Sequence, residues 1–556
     1  MTNEPFPSHC PIVIAGGGSV GLSLAAELGW RGIRCLVVEE RNELNNHPRA
    51  NAVANRTMEY YRRWGIDQAI TDAGIPPTLP AEYLWVTSLA GREIHRISLP
   101  PFDELVAQRK RSGYANDEHN WSPYLKTITG QDEVERALFE YVQTLDTVDF
   151  RFGACLQDFS QDSESVQCTV EDVASGQTST VTARYLAACD GGRSIVRRKL
   201  GIGLSGSASL AKFVSIYFRA PEMINSHSFG HGNIFFPLHR QHRGFLLTWD
   251  EDRTYTYHRV LDEGQHWSDV DPVATIHAVV GKTFDVDVLS VQPWTAHALV
   301  ADEYVRGRVA LAGDAAHLFS PTGGFGMNTG VSDAIDLAWK LQASLEGWAG
   351  SGLLESYDAE RRPIGVRNTA EAADCFHRLF AVMQHGDELD EDSQSSERLR
   401  AELKADLKDQ EKLISSSGTL LGYRYEGSHI TVPDGTEEPD DDPRRYAPVA
   451  RPGHRAPHIW LSNGDALYDR LGRDFTLIQF GENPDDAGAF IDYAASAGMP
   501  LEVVHIAEQQ ARELYESDLV LIRPDLMIAW RKRAEDYDAA SILDTARGAW
   551  CVEARI

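Results

Sequence analysis

The stretch Pro11–Glu40, PIVIAGGGSVGLSLAAELGWRGIRCLVVEE, decides the fold. Ile12–Ala15 is a short apolar run of the kind found in a strand buried on both faces. Gly16, Gly18 and Gly21 then give G-x-G-x-x-G, helical spacing follows from Leu22 to Trp30, and Cys35–Val38 is a second apolar strand. Strand, glycine turn, helix and strand in this order predict a doubly wound dinucleotide-binding unit. The three glycines do different things. Gly16 allows the tight turn, Gly18 lets a pyrophosphate approach the helix N-terminus, and Gly21 lets helix pack closely on strand. Glu39 closes the second strand, where a carboxylate would meet ribose hydroxyls. FAD and NAD both suit this motif.

A second glycine turn lies far downstream. RGRVALAGDAAH (306–317) reads as a strand, Val309–Ala312, running into Gly313-Asp314, and SPTGGFGMNTG (320–330) crosses to a helix expected near Val331. Asp314 at the strand end suits sugar-like hydroxyls. The N–H groups around Gly326, Met327 and Asn328 suit a negative charge. Two turns can therefore grip one long ligand: adenosine at Gly16–Glu39, ribitol at Asp314, and a ring at Gly326–Asn328. That favours FAD, because NAD has no ribitol. Between the two turns, YLAACDGGRSIVRRKLGI (185–202) reads as strand, Asp190-Gly191 turn and helix, with Arg193 and Arg197 on a solvated face.

Composition bounds the rest. The 556-residue chain carries a net charge of −29, which excludes the basic footprint of a nucleic-acid partner. The seven cysteines form no C-x-x-C pair, so free thiols in a reducing, cytoplasmic setting are expected. No signal peptide, apolar membrane span or metal-ligand spacing is apparent.

The elements GGGSVG, CDGGRSIVR and GDAAHLFSPTGGFGMNTG together resemble those of the single-component FAD-dependent aromatic hydroxylases, the p-hydroxybenzoate hydroxylase and phenol hydroxylase group. The likeness covers about residues 10–370 and extends to the C-terminus for phenol-type members. HPRANAVANRTMEYYRRWGI (47–66) resembles the family segment whose Arg, here Arg49, lies against the flavin. TITGQDEVERAL (127–138) is similar to the segment whose Gln, here Gln131, contacts the cofactor, and GACLQDF (153–159) to the strand bordering the adenine, near Leu156. The cofactor-contacting set implied is Gly16, Gly18, Ser19, Val20, Gly21, Glu39, Glu40, Arg49, Gln131, Leu156, Asp190, Asp314, Pro321, Gly324, Gly326, Met327 and Asn328. The resemblance also implies NADPH or NADH as transient reductant, dioxygen as co-substrate and a flavin C4a-hydroperoxide that hydroxylates a phenolic or polycyclic aromatic compound. Catalytic positions carried over are Arg49, Pro321, whose carbonyl would border the substrate, and Asn51. Some phenol-type relatives carry His or Asp where Asn51 stands; Asn accepts a hydrogen bond but takes no proton at neutral pH. Baeyer–Villiger or epoxidising chemistry, and a flavin oxidoreductase without oxygen insertion, therefore stay open. His47 and His317 are read as structural.

The fold class expected is α/β: a Rossmann-like FAD-binding domain (1–78, 113–204 and 295–370) with an inserted mainly-β substrate domain (79–112 and 205–294) and a C-terminal thioredoxin-like domain (445–556), joined by a helical segment and linker (371–444). KFVSIYFRA, GNIFFPLH, GFLLTWD and TYTYHRVL read as strands of a sheet over the ring, and Phe236, Trp249, Tyr257 and Trp294 as an aromatic pocket for a small aromatic substrate. QRKRSG (108–113) reads as a charged loop. The last unit holds one cysteine, Cys551, which excludes dithiol chemistry; a homodimer stays open.

Overall fold

A computed structural model of the chain describes residues 5–111, 120–226, 229–250, 253–414, 416–481 and 487–549; Cys551 lies outside them. The apolar runs of the opening stretch form the centre of an eight-stranded sheet. His9–Ala15 pairs in parallel with Cys35–Glu39 on one side and Gln177–Ala188 on the other. Val148–Phe152 and Val309–Leu311 extend the parallel set outward. An antiparallel hairpin, Ala154–Gln161 and Val166–Asp172, joins along the first part of Gln177–Ala188. Ile12, Val13, Ile14, Leu36 and Val37 are fully buried, as strands covered by helices on both faces require. The helix Ser19–Trp30 packs against Phe325–Glu346 and Gln131–Val142.

A second eight-stranded sheet carries all four sequence-predicted strands, together with Ala81–Val86 and Glu93–Leu99. Its longest members, Leu204–Arg219 and Asp287–Ala301, pair antiparallel along nearly their whole length. Asp287–Ala301 is one unbroken strand, so the boundary expected at 294/295 falls inside it. Side chains alternate across this sheet. Phe213, Phe236, Phe245 and Leu247 cluster on one face, and Phe218, Phe235, Leu246, Tyr255 and Tyr257 on the other, under the helix Pro272–Val280.

The C-terminal unit is a four-stranded sheet ordered Leu501–Ile506, Phe475–Phe480, Leu519–Ile522, Ile528–Arg531. The first two strands are parallel and the rest antiparallel. Its core is not separate: Ile478, Phe480 and Tyr515 share a cluster with Ile12 and Leu22.

Buried charge joins the units as well. Arg523 donates to Glu360 Oε1 (2.6 Å) and Asp336 Oδ1 (3.0 Å), and Lys340 to Asp336 Oδ2 (2.7 Å) and Glu360 Oε2 (2.6 Å). None of these four side chains is more than 1% exposed. Burial opposes ionisation of Glu360, but Arg523 and Lys340 outweigh it and hold the carboxyl down to about 2.

Three local expectations are corrected. The second helix begins at Phe325, not near Val331, because Gly324 takes φ +70° and caps it. Arg197 is buried rather than solvated, since its guanidinium donates to Ala315 O (2.9 Å) and Gly192 O (2.8 Å). Gln108–Arg111 ends a helix, Phe102–Arg111, rather than forming a loop, and Arg109 is buried on the carbonyls of Ser122 and Pro123.

Removing one partner of a buried ionic cluster strands the others. Glu360→Gln is expected to lower unfolding free energy by about 3–5 kcal/mol, measured as a shift of the denaturant midpoint at unchanged slope.

Candidate functional site

The first glycine turn is held by its neighbours. Gly16 has φ +101°, and a Cβ there would sit 2.3 Å from Cys189 O on the adjoining strand end. A Cβ at Gly21 would meet Gly16 O at 2.0 Å, so helix and strand touch through backbone alone. Gly18 is different: its Cβ would find no atom closer than 3.8 Å, which leaves the helix N-terminus open to a ligand. Glu39 ties the turn to its own strand end, accepting Gly17 N–H (2.6 Å) on Oε2 and Arg41 N–H (3.0 Å) and Nε (2.7 Å) on Oε1. Burial opposes ionisation of Glu39, but the contacts with Arg41 and Gly17 prevail and keep its carboxyl below its ordinary range.

Outside this turn lies a polar cavity of about 730 Å³, bordered by Gly16, Gly18, Ser19, Val20, Glu39, Glu40, Leu156 and Asp190. A mainly apolar cavity of about 430 Å³ lies between the second sheet and the second glycine turn. Asn51, Phe236, Trp294, Pro321, Gly324 and Gly326 border it. Arg49, Gln131, Asp314 and Met327 border both. Those four residues come from three distant parts of the chain and frame a throat joining the two spaces. Asp314 is open to the cavities yet ringed by protein. That confinement raises its pKa, against His317 and Arg49, which pull it down.

Four sequence-predicted residues do not border either cavity. Gly21 is consumed by helix–strand packing. Asn328 is a brace: Oδ1 accepts from Ala54 N–H (2.8 Å) and Thr57 Oγ1 (2.7 Å), and Nδ2 donates to Ala52 O (3.1 Å) and Gly324 O (2.7 Å). Its amide is fully used, so it holds the 52–57 segment against the second turn instead of facing a ligand. Tyr257 packs on the far face of the second sheet and donates to His242 O (2.7 Å). Strand alternation puts its neighbour His258 on the cavity face instead. Trp249 packs beside that face, with Nε1 donating to Thr256 Oγ1 (2.8 Å).

His258 is not singled out by the sequence reading, although the TYTYH alternation carries its direction. It packs at a tilt against Phe245 (4.6 Å between ring centres), and burial and then His47 push it down to about 3, so it is neutral at physiological pH. His47 also borders the apolar cavity, held by Ser290 Oγ (2.6 Å) and Ser215 Oγ (2.7 Å); burial and Arg49 push it down to about 4. His317 is buried on Asp333 Oδ2 (2.6 Å). Glu135, also not singled out, borders the polar cavity and accepts the Ser19 N–H.

Residues 9–372 match the family described as FAD binding domain, and 449–554 match Aromatic-ring hydroxylase, C-terminal. The chain is 31% identical to the FAD-dependent monooxygenase apdD of Emericella nidulans, over 95% of this chain and 88% of that one. It also resembles the structure of the rebeccamycin biosynthetic enzyme RebC with reduced flavin (TM-score 0.87, 34% identity, 98% of this chain and 100% of that chain). A third likeness is to a ternary complex of aklavinone-11 hydroxylase with FAD and aklavinone (TM-score 0.80, 28% identity, 98% and 99% covered).

The Asn328 brace is testable by itself. Asn328→Asp keeps the shape but places an acceptor against the carbonyls of Ala52 and Gly324. It is expected to lower unfolding free energy by about 2–4 kcal/mol, because both buried hydrogen bonds to those carbonyls disappear; chemical denaturation measures it.

Proposed function

The chain belongs to the FAD-dependent aromatic-ring hydroxylases and is an FAD-dependent monooxygenase, and from that premise we propose that it hydroxylates a phenolic or polycyclic aromatic compound held in the apolar cavity. The observation that carries this reading is the throat: two adjoining cavities, one polar and one walled by aromatic side chains, both bordered by Arg49, Gln131, Asp314 and Met327. The residues suit FAD. The open N-terminus at Gly18 and Ser19 would take the diphosphate, Glu39 and Leu156 the adenosine end, Asp314 the ribitol, and Arg49 with the Gly324–Met327 backbone the ring. When bound, FAD reduced by NADPH or NADH supplies the reaction of dioxygen with the substrate.

The chain's own residues bind, orient and exclude water. Trp85, Phe236, Phe245 and Trp294 offer flat apolar surface for a fused-ring substrate. Trp85 and Phe236 stack at 4.9 Å, and Trp294 on Phe213 at 4.1 Å, which fixes both rings as rigid walls. Asn51 and the neutral His258 are among the polar groups bordering that space that could accept from a substrate hydroxyl. Pro321 borders the same space, where its carbonyl can face a reacting edge. A polycyclic substrate is supported further by the aklavinone in the complex described above.

The C-terminal unit is read as thioredoxin-like. Its order of elements, βαβαββα, and its sheet, with the first two strands parallel, support that assignment. It serves structure, through the shared core and the Arg523 cluster.

Asp314→Ala removes a charge-assisted contact worth about 1.5–3 kcal/mol, so FAD should bind roughly 10- to 150-fold more weakly. Fluorescence titration of apoprotein measures this, and an unchanged dissociation constant would reject the ribitol assignment. The reaction class is tested with heavy-isotope dioxygen and a panel of polycyclic phenols, and a product carrying one labelled oxygen is expected. NAD(P)H oxidation that leaves every product unlabelled would reject hydroxylation.

A further inference from the structure

Glu135 stands where an anion would bind. It lies on the helix Gln131–Val142 and reaches the N-terminus of the helix Ser19–Trp30. One oxygen, Oε1, accepts both the Ser19 N–H (3.2 Å) and Gln131 Nε2 (2.9 Å). The other, Oε2, is buried with no hydrogen-bond partner. The residue is 3% exposed and borders the polar cavity. Nothing separates it from the open side of the glycine turn, because a Cβ on Gly18 would lie 3.8 Å from Oε1.

Two donors on Oε1 and none on Oε2 leave Oε2 as the oxygen on which a proton would be taken up. The groups facing Glu135 are the cations Arg41 and Arg49, which favour its charge, and Asp132 and Tyr61, whose own ionisation it opposes. Burial outweighs the hydrogen bond from Gln131 and the two arginines and raises the carboxyl above its ordinary range. Arg41 is also committed to Glu39. The diphosphate of FAD would bring negative charge to the same helix end, and a like charge disfavours ionisation further.

We propose that Glu135 makes FAD binding proton-coupled: it stands in for the diphosphate at the Ser19 N–H in the apoprotein, and takes one proton from solvent when the diphosphate arrives. This rests on the reading of the polar cavity as the FAD site. No bond other than the O–H on Glu135 forms, and the proton comes from water or buffer. The protonated form is the one that tolerates FAD. Affinity is therefore full below the pKa of Glu135 in the apoprotein and falls as pH rises through it, by at most about tenfold per pH unit for one proton.

The test is fluorescence titration of apoprotein with FAD from about pH 6 to about pH 9, with calorimetry in two buffers of different ionisation enthalpy to count protons. Wild type is expected to lose roughly tenfold or more in affinity over that range and to take up a proton on binding. Glu135→Gln, an uncharged isostere, should show neither effect, and should bind FAD more tightly than wild type at the upper end. Asp314→Asn and Asp190→Asn, which each remove another carboxyl that borders the polar cavity and is raised by burial, should keep both effects. A flat wild-type profile without proton uptake overturns the proposal, as does a Glu135→Gln variant that keeps the slope. Should Glu135→Gln not fold, proton uptake that persists in Asp190→Asn and Asp314→Asn supports the proposal, and uptake lost in either overturns it. No FAD binding at any pH would instead overturn the reading of the cavity.

Discussion

The buried carboxylate of Asp333 fixes the geometry on which both cavities depend. It accepts Gly313 N–H (3.2 Å), His317 Nε2 (2.6 Å) and Arg361 Nε (2.8 Å), and neither it nor His317 or Arg361 is exposed. The first contact sets the end of the strand Val309–Leu311, and with it the direction of Asp314. The second holds the turn that leads to Pro321. The third pins the helix Glu355–Ala381 to the helix Phe325–Glu346. Burial opposes ionisation of Asp333, but His317 and Arg361 together prevail and keep its pKa low. A carboxylate so enclosed holds three elements in one arrangement, because releasing any one of them leaves a buried charge short of partners.

The two cavities differ in what their walls are made of, and the difference follows from secondary structure. The polar space is bordered by strand ends and a helix N-terminus, where backbone N–H groups lack intrahelical acceptors. The apolar space is bordered by the middle of a sheet, whose backbone is already paired and whose alternate side chains supply aromatic surface. Phe245 and Leu247 face it, and Leu246 faces away. A ligand crossing from one to the other therefore passes from hydrogen bonding to packing. The throat residues Arg49, Gln131 and Asp314 stand where that change occurs.

Much of this is legible in the chain. The opening strand–turn–helix–strand is readable because parallel strands buried on both faces give unbroken apolar runs, and because Gly16 and Gly21 sit where no Cβ fits. The second turn is readable as a companion of the first, but its helix start is not, since Gly323 and Gly324 both adopt positive φ (84° and 70°) and compress the turn. Asn328 reads as a ligand contact because the partners that occupy it, Ala54 and Thr57, lie some 270 positions away and leave no trace at its own position. Residue type favours Tyr257 over His258 for the pocket, whereas face decides the matter; the period-2 alternation reverses the two. Arg197 and Arg109 read as surface charge because the carbonyls of Ala315 and Pro123 that they meet lie outside their own helices.

The helix Phe325–Glu346 ties site and scaffold together along its length. Its first turn borders the throat through Met327, and Asp333 follows two turns on. Further along, Asp336 and Lys340 enter the cluster with Arg523, and Trp339 packs on Phe475 of the C-terminal sheet at 5.7 Å. The C-terminal unit thus bears on the site through a helix held at both ends by buried contacts. Such a helix does not shift by small degrees, because every member of an ionic cluster would lose its partner together. The segments that border the cavities beside it are held differently: Pro321–Gly324 carries two left-handed glycines, and Asn42–Asn51 is only partly buried, with Arg49 exposed between the cavities.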